Sequence, residues 1–225
     1  MIGTPQEHLL KDCFGGMFSN LLTAEGGRSS HRPEPFYFVS VEVGNGKDNL
    51  EASLADFVRG ESVDYSWEEK NVNEQKSSRS LPTVKRTLID VLPPHLIFHL
   101  RRFDFDFETC RLVKKNDRFE FPLNLNMLPF TTAADDPAVR PEKYIYELSG
   151  VVTHIGTAES GYVDAYNVLS LCITNFSYVN IGIIIRSSKN ELHHAGLNLT
   201  MVSSAISTLV IWMKRHLEAR IDPTG

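Results

Sequence analysis

The three cysteines are the first candidates for chemistry, because a thiolate can attack a carbonyl carbon or bind a metal ion. They are Cys13, Cys110 and Cys172. Cysteine catalysis needs a thiol whose pKa is lowered by a helix N-terminus and a nearby histidine. Cys13 stands before two glycines in a loop-like segment, but the pattern pairs no histidine with it, and the other two have no better setting. We therefore interpret all three as structural residues.

Metal binding is not indicated either. Three cysteines that are far apart suit neither a disulfide framework nor a site of four thiolates. The adjacent His193 and His194 point in different directions in any regular element. His99 alternates with apolar residues, so we interpret it as a hydrogen-bonded histidine of a sheet. The sequence therefore predicts no metal and no cofactor.

Residues 101–108 read RRFDFDFE, and from Phe103 onward aromatic and acidic side chains alternate strictly. In a strand, this pattern places three phenylalanines on one face and three carboxylates on the other. We predict a half-buried strand whose aromatic face belongs to the core and whose acidic face is solvated. The alternative is that the acidic face docks a basic peptide. Acid–base catalysis by Asp104 and Asp106 is disfavoured, because neighbours on an exposed strand do not converge on one pocket.

Composition narrows the class of protein. The chain has 225 residues, of which 42% are hydrophobic and 23% charged, values typical of a globular protein. A net charge of −5 and the absence of a basic patch argue against nucleic-acid binding. The first fourteen residues mix charged and apolar side chains and contain no secretory signal. With the odd cysteine count, this favours a cytoplasmic or nuclear protein and makes a membrane partner unlikely.

The elements that would position these residues are mainly strands. Alternation predicts strands near residues 17–22 and over residues 36–43. Asp48 or Asn49 can cap a helix in which Leu50, Leu54, Phe57 and Val58 form an apolar stripe. Residues 61–82 are polar, and we predict an extended loop or weak hairpin there.

Prolines and turn residues divide the second half of the domain. Strands are predicted at 83–91 and 95–107, separated by Pro93 and Pro94, which cannot continue a central strand. Residues 112–115 and 118–121 flank Asn116-Asp117 and are predicted to form a hairpin. A surface loop is predicted at 131–141 and a strand at 144–154. The predicted fold class is α+β, dominated by an antiparallel sheet.

Several ordered segments resemble the ubiquitin-specific proteases, a family of cysteine peptidases. They are LPPHLIFHLRRF at 92–103, NDRFEFP at 116–122 and YELSGVVTHIG at 146–156, preceded by FGG at 14–16 and EPF at 34–36. The large fat-facets-type members are the most similar in these segments. The resemblance covers about residues 7–161. It implies a papain-like fold of thumb, palm and fingers, which grips ubiquitin and cuts the bond after its C-terminal glycines.

By this resemblance, residues 1–161 are a partial domain that holds the fingers and most of the palm, with the thumb missing. The family's cysteine box would lie upstream of Met1. The family's Gly-His-Tyr pattern is replaced by Gly161-Tyr162, without a histidine. The Asp or Asn that orients this histidine also has no match. The resemblance therefore implies that this truncated fragment has no catalytic residues and is inactive alone.

The resemblance also implies a ubiquitin-binding role for three residues. Phe119 matches a position that contacts the C-terminal tail of ubiquitin, and His154 matches one that lines the tail channel. Gly161, at the histidine-box position, is the third of these residues. Phe119 and His154 have an alternative interpretation as an aromatic residue packed in the sheet and a polar residue at a strand end.

A structural zinc site, present in the fingers of many members, is not expected here. Two Cys-x-x-Cys pairs would be needed, and Ala24, Gly27, Trp67 and Lys70 stand near those positions. The expected partners are ubiquitin and ubiquitinated proteins.

Residues 162–225 are predicted to be a divergent tail with a helix at 197–213. The tail is either a real appendage or a translated intron, since Gly161-Tyr162-Val163 is compatible with codons that contain a splice donor. Three functions remain open. The chain is part of a cysteine-type deubiquitinase, a non-catalytic ubiquitin-binding module, or a structural or membrane-tethered protein.

Overall fold

Glycine and proline turns divide the chain into short strands. The computed structural model describes residues 5–70, 76–158, 161–167 and 179–188. These residues contain two α-helices, α1 (Pro5–Phe14) and α2 (Leu50–Arg59), and two 3-10 helices, Leu128–Phe130 and Pro141–Tyr144. The strands are β1 (Gly16–Ala24), β2 (Ser29–Phe36), β3 (Val39–Glu42), β4 (Glu61–Lys70), β5 (Lys76–Val91), β6 (His95–Arg101), β7 (Phe103–Asp106), β8 (Arg111–Lys114), β9 (Asn124–Asn126), β10 (Ile145–Gly156), β11 (Gly161–Asn167) and β12 (Val179–Ser187).

Four strands form an antiparallel sheet in the order β2-β1-β5-β4, which we call the finger sheet. Its β4–β5 hairpin runs in regular register from Glu61 opposite Lys85 to Lys70 opposite Lys76. The expected loop at 61–82 is therefore wrong, and the hairpin alternative holds. The segment is polar because most of the described side chains of β4 are exposed.

The larger sheet, which we call the palm sheet, has the order β11-β10-β12-β6-β3, with β9 added beside β10. Among the described strands of this sheet, only β3 and β6 pair in parallel. The α+β class with a mainly antiparallel sheet is thus confirmed. On one face, Leu96, Phe98 and Leu100 of β6 join the core with Leu50 and Leu54 of α2. The predicted helix begins as expected, because the Asn49 side chain accepts a hydrogen bond from the Ala52 amide at 2.8 Å.

The predicted strand at 36–43 is two strands, because the chain passes from one sheet to the other after Phe36. The Phe36 ring stacks on Phe18 with ring centroids 4.0 Å apart. It also lies directly over Gly16, where any β-carbon would collide with the ring. This packing defines the end of β2, and the chain then enters the palm sheet as β3.

The predicted strand at 95–107 is also divided, at Arg102. The hairpin predicted around Asn116-Asp117 is wrong, since β8 pairs with β7 and no strand is described at 118–121. The turn lies earlier, where the Asp106 carboxylate accepts hydrogen bonds from the Glu108 amide at 2.9 Å and the Thr109 hydroxyl at 2.7 Å. An acidic cap of this kind stabilises a tight turn.

The remaining predictions concern the C-terminal half. The strand at 144–154 is confirmed as β10, and the loop at 131–141 is confirmed as turns. The domain boundary at residue 161 stays a prediction, and β11 and β12 lie on its C-terminal side. The predicted helix at 197–213 lies outside the described residues. In the part of the chain that is described, no helix is long and apolar enough to cross a bilayer.

Candidate functional site

Phe119 packs beneath a buried arginine at one edge of the palm sheet. Its side chain is only 6% exposed, and Arg102, which directly follows β6, is 2% exposed. The guanidinium carbon lies 5.9 Å from the centre of the Phe119 ring. A guanidinium over an aromatic face is attracted by the ring quadrupole, and the attraction is stronger when water is excluded. The ring of Phe119 is therefore held in one position.

Arg102 also joins the end of β6 to the segment that follows β8. Its Nη1 atom donates hydrogen bonds to the carbonyl oxygens of Lys115 at 3.0 Å and Asp117 at 2.7 Å. The Lys115 amide in turn donates to the Arg102 carbonyl at 2.7 Å. Burial lowers the pKa of Arg102, and the charge of Asp117 opposes that effect. An arginine remains charged in such a setting, so these are charge-assisted bonds.

His154 lies near the end of β10 and is 8% exposed. Its ring meets Phe103 of β7 edge-on, with centroids 5.1 Å apart. Lys114, the last residue of β8, donates hydrogen bonds from Nζ to the carbonyl oxygens of His154 at 3.1 Å and Gly156 at 2.9 Å. Burial lowers the pKa of Lys114, and the nearby Arg102 lowers it further. The β7–β8 ribbon is thus attached to the end of β10.

Gly161 starts β11 and pairs with Gly156 in the β10–β11 hairpin, in which His154 is opposite Val163. Since β6 and β10 both run antiparallel to β12, their C-terminal ends lie at the same edge of the palm sheet. The structure therefore brings Phe119, His154 and Gly161 to one edge. Five residues hold this edge together, and we call them the palm-edge cluster: Arg102, Phe103, Lys114, Phe119 and His154.

The aromatic and acidic faces of residues 103–108 differ from the prediction. Phe105 is 43% exposed and Phe107 is 84% exposed, so the predicted core face is wrong. The ribbon has only two strands, and beyond Phe103 the rings of Phe105 and Phe107 pack on each other, with centroids 5.2 Å apart. The acidic face is partly neutralised, because Asp104 pairs with Lys115 at 3.1 Å. This hydrogen bond lowers the pKa of Asp104.

The cysteines have the settings of structural residues. Cys13 is buried on α1, and burial raises its thiol pKa, with Asp12 adding to the effect. A raised pKa leaves little thiolate at neutral pH. Cys110 is exposed in the β7–β8 turn, where its φ angle is +52°. Cys172 lies outside the described residues.

Sequence reasoning missed two residues of the palm-edge cluster, Arg102 and Lys114. A signal for Arg102 existed, since Leu96, Phe98 and Leu100 alternate on the buried face of β6 and residue 102 continues that face. A charged residue at a core position needs partners. No comparable pattern marks Lys114, whose acceptors lie 40 and 42 residues away.

The finger sheet offers no zinc ligands at the four positions that the resemblance compares with two Cys-x-x-Cys pairs. Ala24, Gly27, Trp67 and Lys70 occupy these positions, and none of them is a thiolate or an imidazole. The Trp67 indole instead donates a hydrogen bond to the hydroxyl of Thr83 at 2.9 Å, and this hydroxyl donates to the Leu81 carbonyl at 2.9 Å. Within the described ranges, no group of three or more potential ligands is placed to hold a metal.

We expect Thr83→Val to lower the free energy of unfolding by about 1–2 kcal/mol. Thr83 is 1% exposed, so the isosteric change leaves the indole N–H and the Leu81 carbonyl without their partner. Denaturant unfolding measures the loss. Thr23→Val, at an exposed position of the same sheet, serves as the control and should change stability by less than about 0.5 kcal/mol. Equal stability of Thr83→Val and the parent would contradict this role.

Comparison with known proteins gives a consistent result. A family model described as ubiquitin carboxyl-terminal hydrolase matches residues 3–171. The chain is 33% identical over 178 residues to the probable ubiquitin carboxyl-terminal hydrolase FAF of Drosophila melanogaster. This match covers 73% of the chain and 6% of that protein. The chain is also 32% identical over 181 residues to ubiquitin carboxyl-terminal hydrolase 9X of Mus musculus. This match covers 70% of the chain and 7% of that protein. The chain thus spans less than a tenth of the length of these relatives.

Solved structures show the same fold. The SAGA Ubp8/Sgf11/Sus1/Sgf73 DUB module bound to ubiquitin aldehyde contains a chain that matches with a TM-score of 0.60 and 19% identity, over 79% of this chain and 42% of that one. A second structure of the module, bound to monoubiquitin, matches with a TM-score of 0.61 and 21% identity, over 79% of this chain and 41% of that one. At this level of identity, the likeness concerns the fold.

Proposed function

Because the chain belongs to the ubiquitin carboxyl-terminal hydrolase family, we propose that it forms a ubiquitin-binding part of a cysteine-type deubiquitinase. The observation that carries the proposal is the palm-edge cluster. It packs Phe119 under Arg102 and His154 against Phe103, and resemblance assigns both residues to the ubiquitin tail. Both lie at the same edge of the palm sheet as Gly161. A preformed site binds with a smaller entropy cost than one that must order on binding.

Ubiquitin and ubiquitinated proteins are the proposed partners. The fold supports this choice, since the matching SAGA module structures hold ubiquitin aldehyde or monoubiquitin. We propose that the protein acts in the cytoplasm or nucleus. Cys13 and Cys110 are both free thiols in the structure, as a reducing compartment favours.

We further propose that this chain alone does not hydrolyse ubiquitin conjugates. Burial raises the pKa of the Cys13 thiol, and Cys110 lies in an exposed turn of the ribbon. Gly161 is followed by Tyr162 where a catalytic histidine would stand. In the part of the chain that the structure describes, neither thiol has the setting of an activated nucleophile, so we expect no acylation by either of them. The second candidate is a non-catalytic ubiquitin-binding module, which the same residues support.

Ubiquitin binding is tested by titration calorimetry with the full 225-residue chain. We expect binding by the parent and about tenfold weaker binding by Phe119→Leu, a loss of about 1.4 kcal/mol, because the smaller side chain no longer fills the position under Arg102. Phe107→Leu, at an exposed ring, is the matched control and should bind like the parent.

The same samples test the predicted inactivity with a fluorogenic amide of the ubiquitin C-terminus. No turnover is expected, and turnover that disappears when a cysteine is replaced would refute this part of the proposal. An absence of ubiquitin binding by the folded parent would refute the proposed function itself. Equal affinities of Phe119→Leu and Phe107→Leu would remove Phe119 from the site.

A further inference from the structure

Lys114 makes an unusual contact for a lysine at the end of a strand. Its ammonium group is directed to two main-chain carbonyls of another strand, those of His154 and Gly156, at 3.1 and 2.9 Å. Lysine usually keeps its charge in water and contributes little to stability through exposed ion pairs. Here the side chain is half-buried and binds backbone acceptors.

The two carbonyls are two residues apart, and one ammonium group reaches both of them. They lie at the end of the strand, where β12 begins at Val179, opposite His154. The ammonium group bridges both carbonyls and attaches β8 to the last residues of β10. Phe103, directly across the ribbon from Lys114, packs edge-on against the His154 ring and adds a second attachment.

We propose that Lys114 is a positioning residue for the tail-binding edge of the palm sheet. It holds the end of β10 against the β7–β8 ribbon, so that His154 and Gly156, which pairs with Gly161, keep the geometry that the C-terminal tail of ubiquitin requires. The identity of the ligand rests on the proposed function, whereas the restraint on β10 does not.

The neighbouring lysine provides a matched control. Lys115 has the same charge and length, but its Nζ atom pairs with the exposed carboxylate of Asp104 at 3.1 Å. No described contact joins the Lys115 side chain to β10. Lys115→Met therefore removes one lysine from the same segment and leaves the attachment in place.

Amide hydrogen exchange, measured without ubiquitin, tests the restraint. Lys114→Met should raise amide exchange at residues 154–156 and 161–163 about tenfold, because the lost hydrogen bonds stabilise the closed state against local opening. Lys114→Arg, which keeps a charged donor, should restore most of the protection. Lys115→Met should leave exchange in this segment unchanged. Unchanged exchange in Lys114→Met would overturn the inference.

Ubiquitin affinity tests the consequence. Lys114→Met should bind full-length ubiquitin about tenfold more weakly than the parent, because a smaller fraction of the protein has the competent geometry. Its affinity for ubiquitin that lacks the two C-terminal glycines should equal that of the parent. Equal losses for both forms would show a general structural effect and overturn the positioning role.

The two measurements separate the hypotheses. If the folded parent does not bind ubiquitin, the proposed function fails and the ligand assigned to this edge fails with it. The exchange experiment then still decides whether Lys114 restrains the end of β10.

Discussion

Arg102→Met is expected to lower the free energy of unfolding by about 3 kcal/mol. The guanidinium group donates to the carbonyls of Lys115 and Asp117 and lies over the ring of Phe119. Methionine fills most of the space but donates no hydrogen bond, so the carbonyls of Lys115 and Asp117 lose this donor. A hydrogen bond to a charged group contributes about 1.5–3 kcal/mol. Urea unfolding, followed by fluorescence or circular dichroism, measures the difference.

Two variants distinguish the role of the guanidinium group from that of the charge. Arg102→Lys keeps the charge but cannot reproduce the planar donor geometry, so we expect an intermediate loss. Arg101→Met removes the neighbouring arginine, which is exposed and pairs with Glu42, and should cost less than about 1 kcal/mol. If the Arg101 and Arg102 variants were equally stable, the proposed role of Arg102 would be wrong.

Acidification is the second large effect, and His99 is its main expected source. Burial and, to a smaller extent, the charge of Arg101 lower the pKa of His99 from 6.5 to about 4. Ser40 contacts the Nδ1 atom at 3.2 Å, and the Phe38 ring meets the imidazole edge-on. Below pH 6.5 the unfolded chain binds a proton that the folded chain does not, so stability decreases as the pH falls towards 4. At pH 4.5 the loss relative to pH 7.5 reaches about 2.5 kcal/mol.

His99→Gln isolates this contribution. Burial also lowers the pKa of His95, and Arg186 adds to that effect, so the parent loses stability in acid from more than one group. Unfolding of both proteins at pH 7.5 and 4.5 gives the part that belongs to His99. We expect the stability loss on acidification to be about 2.5 kcal/mol smaller in the variant. Equal losses in both proteins would contradict a buried, neutral His99.

Local signals predicted the elements that depend on local chemistry. Asn49 caps α2 because its side chain reaches an amide three residues along the chain, and that spacing is visible in the sequence. Alternation also located β1. The same rule failed at the ribbon, since it shows which side chains share a face but not whether another element covers that face. Phe105 and Phe107 share a face that nothing in the described fold buries fully.

The candidate site was predictable only in part. Resemblance selected Phe119 and His154, and both lie at the same edge of the palm sheet. The position of Arg102 could have been predicted from the alternation of β6, which places this residue on the core side. The contact of Lys114 could not have been predicted, because it joins strands about forty residues apart and no local pattern indicates such a pairing.

The parallel pairing of β3 with β6 has a consequence for the order of folding. Ser40 and His99 are neighbours in this pair, although 59 residues separate them in the chain. Closing such a loop is entropically costly and slow when the intervening chain is unstructured. The β4–β5 hairpin lies within that loop, pairs residues 61–70 with residues 76–85, and shortens the effective distance once it has formed. The outermost hairpin of the fingers thereby lowers the entropic barrier to assembling the palm, although none of its strands belongs to that sheet.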